Sequence, residues 1–222
     1  MRHMLAVVLA FLILAGAGFQ VLAGESAGGY YDLGVFAYAD GEHQEAEGYF
    51  KKALDAEPGN PVYLHYLGRV YLETGQYVSA KEKLEAARGK DPNLSGLNYD
   101  LGLLYYKIER YDMASEHFSV AADQDPDNVL AAYYGGICFY HQKRYGEAGP
   151  LFEEAADKSP SLKVNATYYA GVCNYHSGHI SGAEEKFTYV KENADSPNDK
   201  ENAEKWLDIL SQEEVQKPWT ID

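Results

Sequence analysis

Residues 95–162 decide the fold, because they read as two segments in register, SGLNYDLGLLYYKIERYDMASEHFSVAADQDPDN followed by VLAAYYGGICFYHQKRYGEAGPLFEEAADKSPSL. Each segment is 34 residues long, and the same interval extends along the chain in both directions. The columns that keep it are Pro58, Pro92, Pro126 and Pro160; Gly34, Gly68, Gly102 and Gly136; Ala46, Ala80, Ala114 and Ala148; and Ala53, Ala87, Ala121 and Ala155. Four columns in a common phase indicate a repeat array.

Each unit has the pattern of two amphipathic helices. In the second unit, Leu64, Leu67 and Tyr71 recur at helical spacing, and Gly75 then provides a stop signal. A second stripe with similar spacing follows, and its residues are Ala80, Leu84 and Ala87. Pro92 ends the second helix, because proline disfavours the helical conformation in the residue before it. The sequence therefore predicts a helix-turn-helix in every unit.

The columns match the signature of a known family once the units are counted from a common first residue. These first residues are Ala27, Pro61, Ser95, Val129 and Val164. Position 8 is then glycine and position 20 alanine in all five units, while position 24 is phenylalanine or leucine. This pattern resembles the tetratricopeptide repeat family. The resemblance implies an all-α fold, a right-handed superhelical solenoid of about five helix-turn-helix repeats with a C-terminal capping helix.

The register also divides the chain into segments. The predicted repeats are 27–60, 61–94, 95–128, 129–162 and 163–197, the last with one inserted residue. Residues 198–215 carry Ala203, Trp206 and Leu210 at spacings of three and four, which predicts the capping helix. Such a helix would cover the apolar end face that a solenoid otherwise exposes to water. Residues 216–222 have no periodicity, and we expect a flexible tail there.

The N-terminal segment has the composition of a targeting signal. Arg2 precedes an apolar run over residues 4–15, and Ala23 followed by Gly24 fits the cleavage site of a secretory signal peptide. The run is short for a membrane span, but its extension to Ala23 leaves an uncleaved anchor as an alternative. We therefore expect an exported protein, periplasmic or secreted, or one anchored to the inner membrane. Membrane contact is expected only through residues 1–23, and only if they are uncleaved.

Tyrosine is over-represented, with 20 residues against 8 phenylalanines and 2 tryptophans, and it clusters at repeat positions 5 and 12. Positions 5, 9 and 12 are spaced by four and three residues, so they lie on one face of each first helix. In the family that the sequence resembles, this face lines a concave groove for peptides or helices. The predicted groove residues are Tyr31, Tyr38, His65, Arg69, Tyr99, Leu103, Tyr106, Tyr133, Ile137, Tyr140, Tyr168, Val172 and Tyr175.

Two interpretations of this face are open at the level of sequence. Tyrosine at these positions is common in the family, where it also packs neighbouring first helices together, so the role of the rows could be structural only. The other interpretation is an interaction surface. The aliphatic residues at position 9, such as Val35, Leu103 and Ile137, favour it because they make the groove apolar. An exposed apolar strip of this length is typical of a binding site.

The charge of the chain excludes one class of partner. With 34 acidic and 19 basic residues the net charge is −15, which argues against nucleic-acid binding because that binding depends on lysine and arginine neutralising phosphates. We expect most acidic residues of the second helices to be solvated surface. Electrostatic steering of a basic partner is the alternative.

The sequence lacks the motifs of phosphate-binding loops, serine hydrolases and zinc proteases, so we expect a non-catalytic protein without a cofactor. One cluster is a weak candidate for a metal site, because Cys138 and His141 recur as Cys173 and His176 in the next repeat. We favour buried core cysteines over a metal site, since position 10 is apolar in the other repeats. A disulfide between the two cysteines is a further alternative.

These observations predict a non-catalytic protein-interaction scaffold in the cell envelope. We expect a peptide or a helix of another protein to bind in the Tyr-lined groove, and the chain to assist the assembly of an envelope or secretion complex. One alternative is a structural oligomer formed by self-association. A weaker alternative is a carbohydrate or cell-wall binding module, which the carboxylates Asp32, Glu73 and Asp100 near the groove would serve.

Overall fold

The computed structural model describes residues 26–216, and this part of the chain forms eleven α-helices. In chain order they are α1 Ala27–Ala39, α2 His43–Ala56, α3 Pro61–Glu73, α4 Tyr77–Lys90, α5 Leu97–Lys107, α6 Tyr111–Gln124, α7 Val129–His141, α8 Tyr145–Lys158, α9 Lys163–His176, α10 Ile180–Asn193 and α11 Pro197–Gln216. The helices come in pairs at the interval of the repeat, so the predicted all-α repeat solenoid is confirmed. None of these helices is both long and apolar enough to cross a bilayer.

The chain divides into two compact units, unit 1 (Met1–Leu104) and unit 2 (Tyr105–Asp222), with the boundary inside α5. In unit 1, α1 packs on α2, α2 on α3, and α3 on α4. In unit 2, each helix from α6 to α10 packs on the helix that follows it. This arrangement is the one expected of a repeat array, in which each helix contacts mainly its neighbours along the chain.

Several first helices begin at a capping side chain. The Ser26 hydroxyl accepts a hydrogen bond from the backbone N–H of Gly29 at the start of α1, over 3.0 Å. The Asn60 and Asn128 side chains accept the corresponding bonds at the start of α3 and α7. A capping side chain satisfies one of the backbone donors that the first turn of a helix leaves without a partner. Polar residues just before the apolar stripes therefore fix the register of these helices.

The turn inside each repeat needs one residue in the left-handed conformation, and that residue is always at position 15. It is glycine in three repeats, namely Gly41, Gly75 and Gly178, with φ between 74° and 80°. In the other two it is Glu109 (φ 59°) and Lys143 (φ 61°). Non-glycine residues adopt this conformation at a cost of about 1–2 kcal/mol. Two turns of unit 2 therefore have a strained backbone conformation, whereas the turns of unit 1 do not.

The core of each repeat is built on the contact between positions 8 and 24. Phe50, Phe118, Phe152 and Phe187 at position 24 are completely buried. A Cβ added to Gly34 would lie 2.6 Å from the Phe50 ring, and one added to Gly136 would lie 3.0 Å from the Phe152 ring. The second distance is already tighter than nearly all real Cβ contacts. The glycine column therefore exists because the aromatic side chain of the second helix occupies the space beside it.

Helix α11 occupies the predicted place of the capping helix. Its residues Ala203 and Leu210 are buried in the same cluster as Val190 of α10 and Ala194 just after α10. Gln216 belongs to this helix rather than to the predicted tail. The predicted signal peptide with its cleavage site at Ala23 and Gly24, and residues 217–222 of the predicted tail, lie outside the described residues.

Candidate functional site

Five of the predicted groove tyrosines lie in unit 2, and all of them are half-buried. They are Tyr106, Tyr133, Tyr140, Tyr168 and Tyr175, here called the Tyr face. They come from positions 5 and 12 of α5, α7 and α9, so helical spacing alone places them on one side of each first helix. Each of these side chains is partly packed against neighbours and partly accessible to solvent. Half-burial of these rings therefore agrees with both interpretations made from the sequence, which are structural packing and an interaction surface.

Tyrosines at position 6 connect the rings of the Tyr face. Tyr169 packs 5.3 Å from the ring of Tyr140 and 5.2 Å from that of Phe152, both in the preceding repeat. Tyr134 has the equivalent place one repeat earlier, with its ring centroid 5.5 Å from that of Tyr106. Edge-to-face and tilted pairs at these distances are favourable beyond the area that they bury. A position-6 side chain thus inserts into the repeat before it.

Trp206 of α11 plays the same part for the last repeat. Its indole stacks nearly parallel on Phe187 with the ring centroids 5.3 Å apart, and it lies 5.0 Å from the Tyr175 ring. The indole N–H donates a hydrogen bond to the Tyr168 hydroxyl over 3.1 Å. Trp206 therefore supplies the aromatic neighbour that Tyr169 supplies one repeat earlier, and the Tyr face extends to the capping helix.

The aliphatic residues at position 9 differ from the expectation. Val172 is 2% exposed and Ile137 is 6% exposed, so the prediction of an apolar strip open to solvent is wrong at these two positions. The physical reason is that the rings at positions 5 and 12 close over them. Val172 lies in a core cluster with Tyr168 and Tyr175 packed against it. The surface of unit 2 is consequently aromatic with hydroxyl groups at its edge, and the aliphatic side chains lie beneath.

Unit 1 carries a buried polar cluster on the corresponding face, formed by His65, Arg69 and Asp100. The His65 Nε2 atom lies 2.6 Å from Asp100 Oδ2, and both residues are buried. Arg69 Nε lies 3.3 Å from the same carboxylate oxygen. Asp100 is at position 6, so it reaches into the preceding repeat as the tyrosines of unit 2 do. His65 was predicted to face the groove, but the structure buries it because its partner Asp100 is buried.

The half-buried guanidinium of Arg69 connects this polar cluster to two aromatic rings. Its Cζ atom lies 5.0 Å from the ring centroid of Tyr38 and 5.2 Å from that of Tyr66, which are cation–π distances. Tyr31 packs edge-on against Tyr66 with the centroids 5.2 Å apart. The other predicted groove residues of unit 1, Tyr99 and Leu103, are half-buried, and so is Val35 at position 9 of the first repeat. Asp100, considered above as a sugar ligand, is engaged by His65 and Arg69, whereas Asp32 and Glu73 are exposed.

Burial keeps the tyrosine hydroxyl groups protonated. It raises the pKa of Tyr133 to about 12, with a smaller contribution from the neighbouring Tyr169. Burial also raises the pKa of Tyr106 and Tyr140. At Tyr38 in unit 1, burial raises the pKa while the Arg69 charge opposes it. Tyr106, Tyr133 and Tyr140 therefore keep neutral hydroxyl groups, which can donate or accept hydrogen bonds, at any ordinary pH.

The candidate metal cluster is not formed. His141 stacks on Tyr111 and His176 stacks on Tyr145, each with ring centroids 4.3 Å apart, so neither imidazole turns toward a cysteine. Across residues 26–216, no three histidine, cysteine, aspartate or glutamate side chains gather as metal ligands. Cys138 and Cys173 are buried free thiols, and burial raises the pKa of each to about 12. Both behave as small core residues at position 10.

The position-6 residues were not predicted from the sequence to belong to the site. Tyr66, Tyr134 and Tyr169 occur at the same repeat position, and this regularity could have singled them out. The pairing of His65 with Asp100 is visible in the same register, because the two residues are 35 positions apart. The side chain at position 6 packs into the preceding repeat. Its residue type determines whether the contacts there are aromatic or ionic.

Paired helices with glycine at position 8, alanine at position 20 and an aromatic or leucine residue at position 24 define the class of this protein. Two family models described as tetratricopeptide repeat match the sequence, one over residues 10–61 and 99–163 and the other over residues 37–93. The chain belongs to the tetratricopeptide repeat family, whose fold is a protein-interaction scaffold. No curated protein matches the sequence.

Solved structures with the same fold are distant in sequence. A crystal structure of YrrB, described as a tetratricopeptide protein with an unusual peptide-binding site, has a TM-score of 0.72 and 22% identity over 82% of this chain and 93% of that chain. MamA from Desulfovibrio magneticus RS-1 has a TM-score of 0.67 and 21% identity over 77% of this chain and 97% of that chain. Another MamA crystal structure has a TM-score of 0.65 and 21% identity, covering 90% of this chain and all of that chain. At this identity the likeness concerns the fold.

Proposed function

We propose that the protein is a non-catalytic scaffold that binds a peptide or a helix of another protein on its Tyr face. The observation that carries this proposal is the set of half-buried, mutually packed rings in unit 2, which are held in place by their neighbours and remain partly accessible. Rigid aromatic side chains lose little conformational entropy on binding, and they offer both apolar area and hydrogen bonds. The peptide-binding site ascribed to YrrB, which has the same fold, supports a peptide as the ligand class.

The half-burial of the rings sets the expected affinity. If the five tyrosines each lose about 50 Å² of apolar surface, at ~25 cal/mol per Å², the gross gain is roughly 6 kcal/mol. The cost of association is about 4–15 kcal/mol, so apolar burial alone does not give tight binding. Hydrogen bonds from the tyrosine hydroxyl groups to the peptide backbone must contribute. We expect a dissociation constant in the micromolar range or weaker.

A selection from a displayed library of random peptides tests this function. Peptides that bind the protein are synthesised with a fluorescent label, and their affinities are measured by anisotropy. Replacing Tyr133 and Tyr140 together by alanine should weaken the selected peptides by about tenfold or more, because two anchoring rings are lost. Single Tyr133→Phe and Tyr140→Phe variants preserve the packing and should show the smaller effect of the hydroxyl groups alone.

The matched control is Tyr189→Ala, which removes a half-buried tyrosine of the same unit from the second helix α10. It should leave the affinity unchanged, with circular dichroism verifying the helical fold of every variant. If the selected peptides bind the double alanine variant and the original protein with equal affinity, the proposal is wrong. If no peptide is enriched and the protein sediments as an oligomer, self-association replaces it.

The envelope location is part of the proposal and rests on the sequence of residues 1–23. Cell fractionation with mass spectrometry of the N-terminus tests it. A mature protein beginning at Gly24 outside the inner membrane supports export with cleavage, and an intact N-terminus in the membrane fraction supports the anchored alternative. A soluble cytosolic chain that retains residues 1–23 would remove the envelope location without affecting the Tyr-face proposal. A role in assembling an envelope or secretion complex is proposed on the same basis.

A further inference from the structure

Unit 2 contains a second hollow, formed by different residues from those of the Tyr face. It is a cavity of about 410 Å³ between the second helices α6 and α8, with α7 at its base. Ala131 and Gly135 of α7 line its floor, and the half-buried side chains of Phe139 and Leu151 form its walls. Its volume is at the lower end of the range for ligand-binding pockets. We call it the side cavity.

The side cavity lies where positions 3 and 7 of the repeat carry small residues, as they also do in the fifth repeat with Ala166 and Ala170. Positions 3 and 7 are Tyr63 and Leu67 in the second repeat, and Leu97 and Leu101 in the third, all of them buried. In the fourth repeat the same positions are Ala131 and Gly135. A Cβ added to Gly135 would meet Leu151 at 3.6 Å and Phe118 at 3.7 Å, which are ordinary contact distances. A methyl-sized group therefore fits at Gly135 without a clash, and the cavity beside it is not filled by the fourth repeat.

The surroundings of the side cavity are acidic. Asp123 and Glu154 line it, and an adjacent hollow that shares Ser115, Ser119 and Phe139 with it adds Asp112 and Glu116. The basic residues nearby are already engaged, since Lys158 pairs with Glu154 over 2.7 Å and Arg144 pairs with Glu147.

Two carboxylates at this surface have no counter-charge. Within residues 26–216, neither Asp123 nor Glu116 forms an ion pair, and both are exposed. Both carboxylates lie on α6, Asp123 at the side cavity and Glu116 at the adjacent hollow, and their negative charge is uncompensated. Charge of this sign favours a basic partner and disfavours an acidic one.

We propose that the side cavity is a second peptide-binding site, which takes one aliphatic side chain from a basic segment of a partner protein. The leucine-sized chain fills the place left by Gly135, and lysine or arginine residues on either side of it pair with Asp123 and Glu116. This site is independent of the Tyr face, because the two share no residue. It gives the scaffold two surfaces of opposite character, one aromatic and neutral, the other apolar and acidic.

The probe for this site is the capped peptide Lys-Lys-Leu-Lys-Lys, with Lys-Lys-Ala-Lys-Lys and Glu-Glu-Leu-Glu-Glu as comparison peptides. Methyl NMR of the full chain follows the Leu151 and Ala131 methyl groups during titration. We expect the leucine peptide to shift both signals with a dissociation constant of about 1 mM or tighter, and both comparison peptides to bind at least about tenfold more weakly. Added salt should weaken the leucine peptide further.

Two variants separate the parts of the site. Gly135→Leu fills the hole from within and should abolish the shifts, with Gly146→Leu on α8 as the matched control because nothing lies within 4 Å of Gly146. The double variant Glu116→Lys with Asp123→Lys leaves the packing intact and should also weaken binding by about tenfold, which covers the case that Gly135→Leu fails to fold.

Other outcomes overturn the proposal. They are the absence of a Leu151 shift at about 5 mM peptide, undiminished shifts in the charge-reversed variant, and equal binding of the glutamate peptide. Shifts confined to the methyl groups of Ile137 and Val172, which lie beneath the tyrosine rings, would place the peptide on the Tyr face and also overturn it. Because Tyr133→Ala should leave the side cavity intact, failure of this site and failure of the proposed function are distinguishable.

Discussion

Position 6 of the repeat carries a tyrosine in both units, but in unit 1 it also carries the carboxylate of Asp100. In unit 2, Tyr134 and Tyr169 insert rings between the rings of the preceding repeat. In unit 1, Asp100 at the same position inserts a carboxylate, and His65 and Arg69 surround it. The repeat position determines where the side chain lies. The residue type at that position determines whether the surface there is aromatic or ionic. A single repeat position therefore decides whether a face can offer aromatic contacts or holds a closed ionic cluster.

The largest expected effect comes from breaking the ionic cluster. Asp100→Ala should lower the free energy of unfolding by about 3 kcal/mol, because it leaves the buried His65 and the half-buried Arg69 without their shared acceptor. Urea denaturation measures the change. The control is Asp32→Ala, at the same repeat position but exposed, which should change stability by less than about 0.5 kcal/mol. Equal effects at the two positions would show that the cluster does not stabilise unit 1.

Removal of a position-6 ring in unit 2 should have the next largest effect. Tyr169→Ala should lower the free energy of unfolding by about 2 kcal/mol, because the ring packs on Tyr140 and on the fully buried Phe152. Tyr169→Phe retains the packing, so a loss below about 0.5 kcal/mol is expected. Thermal and urea denaturation of both variants distinguish packing from hydrogen bonding. A phenylalanine variant as damaged as the alanine one would contradict the packing role.

High pH should lower the stability of unit 2, in part through Tyr133. The unfolded chain loses tyrosine protons near pH 10, whereas folded Tyr133 keeps its proton to about pH 12. The folded state binds more protons in this window, so its stability falls as the pH rises, by at most about 1.4 kcal/mol per pH unit for this residue. Urea denaturation between these pH values should show a shallower loss for Tyr133→Phe. In unit 1, Tyr38→Phe should change the slope less, because Arg69 opposes the effect of burial.

The smallest expected effects are in the turns at position 15. Lys143→Gly should stabilise unit 2 by about 0.5 kcal/mol, because glycine relieves the left-handed strain but adds entropy to the unfolded chain. Gly75→Ala at the same position in unit 1 should destabilise by about 1 kcal/mol. Denaturation midpoints of both variants measure the difference. Changes of the same sign would mean that the turn conformation does not explain them.

Repetition made the fold predictable. The repeat positions of Gly34, Ala46 and Phe50 recur at a fixed interval. From them the helix boundaries, the close approach of each helix pair and the aromatic core can be predicted. The placement of Cys138 at an apolar core position followed from the same columns. A repeat protein is predictable to this degree because most contacts are made between neighbours at a fixed separation.

The surface was less predictable, because exposure depends on how neighbouring side chains lie over one another. Ile137 and Val172 share the helical face of the tyrosines, but the rings above them remove them from solvent. His65 looked like a substitute for tyrosine until its pairing with Asp100 was seen. The side cavity is a difference between repeats, and it appears only when the space left by Ala131 and Gly135 is measured. Helical spacing predicts the side of the helix on which a residue lies, but it does not predict how deeply that residue is buried.

Fluorine NMR of the protein labelled with fluorotyrosine, titrated with a selected peptide, tests the central claim most directly. Single Tyr→Phe variants assign the signals. If a peptide binds at the Tyr face, Tyr133, Tyr140 and Tyr168 shift together and saturate at one peptide concentration, while Tyr49 and Tyr189 on second helices stay unchanged. Shifts confined to Tyr49 and Tyr189, or an equal drift of all signals, would contradict binding at the Tyr face.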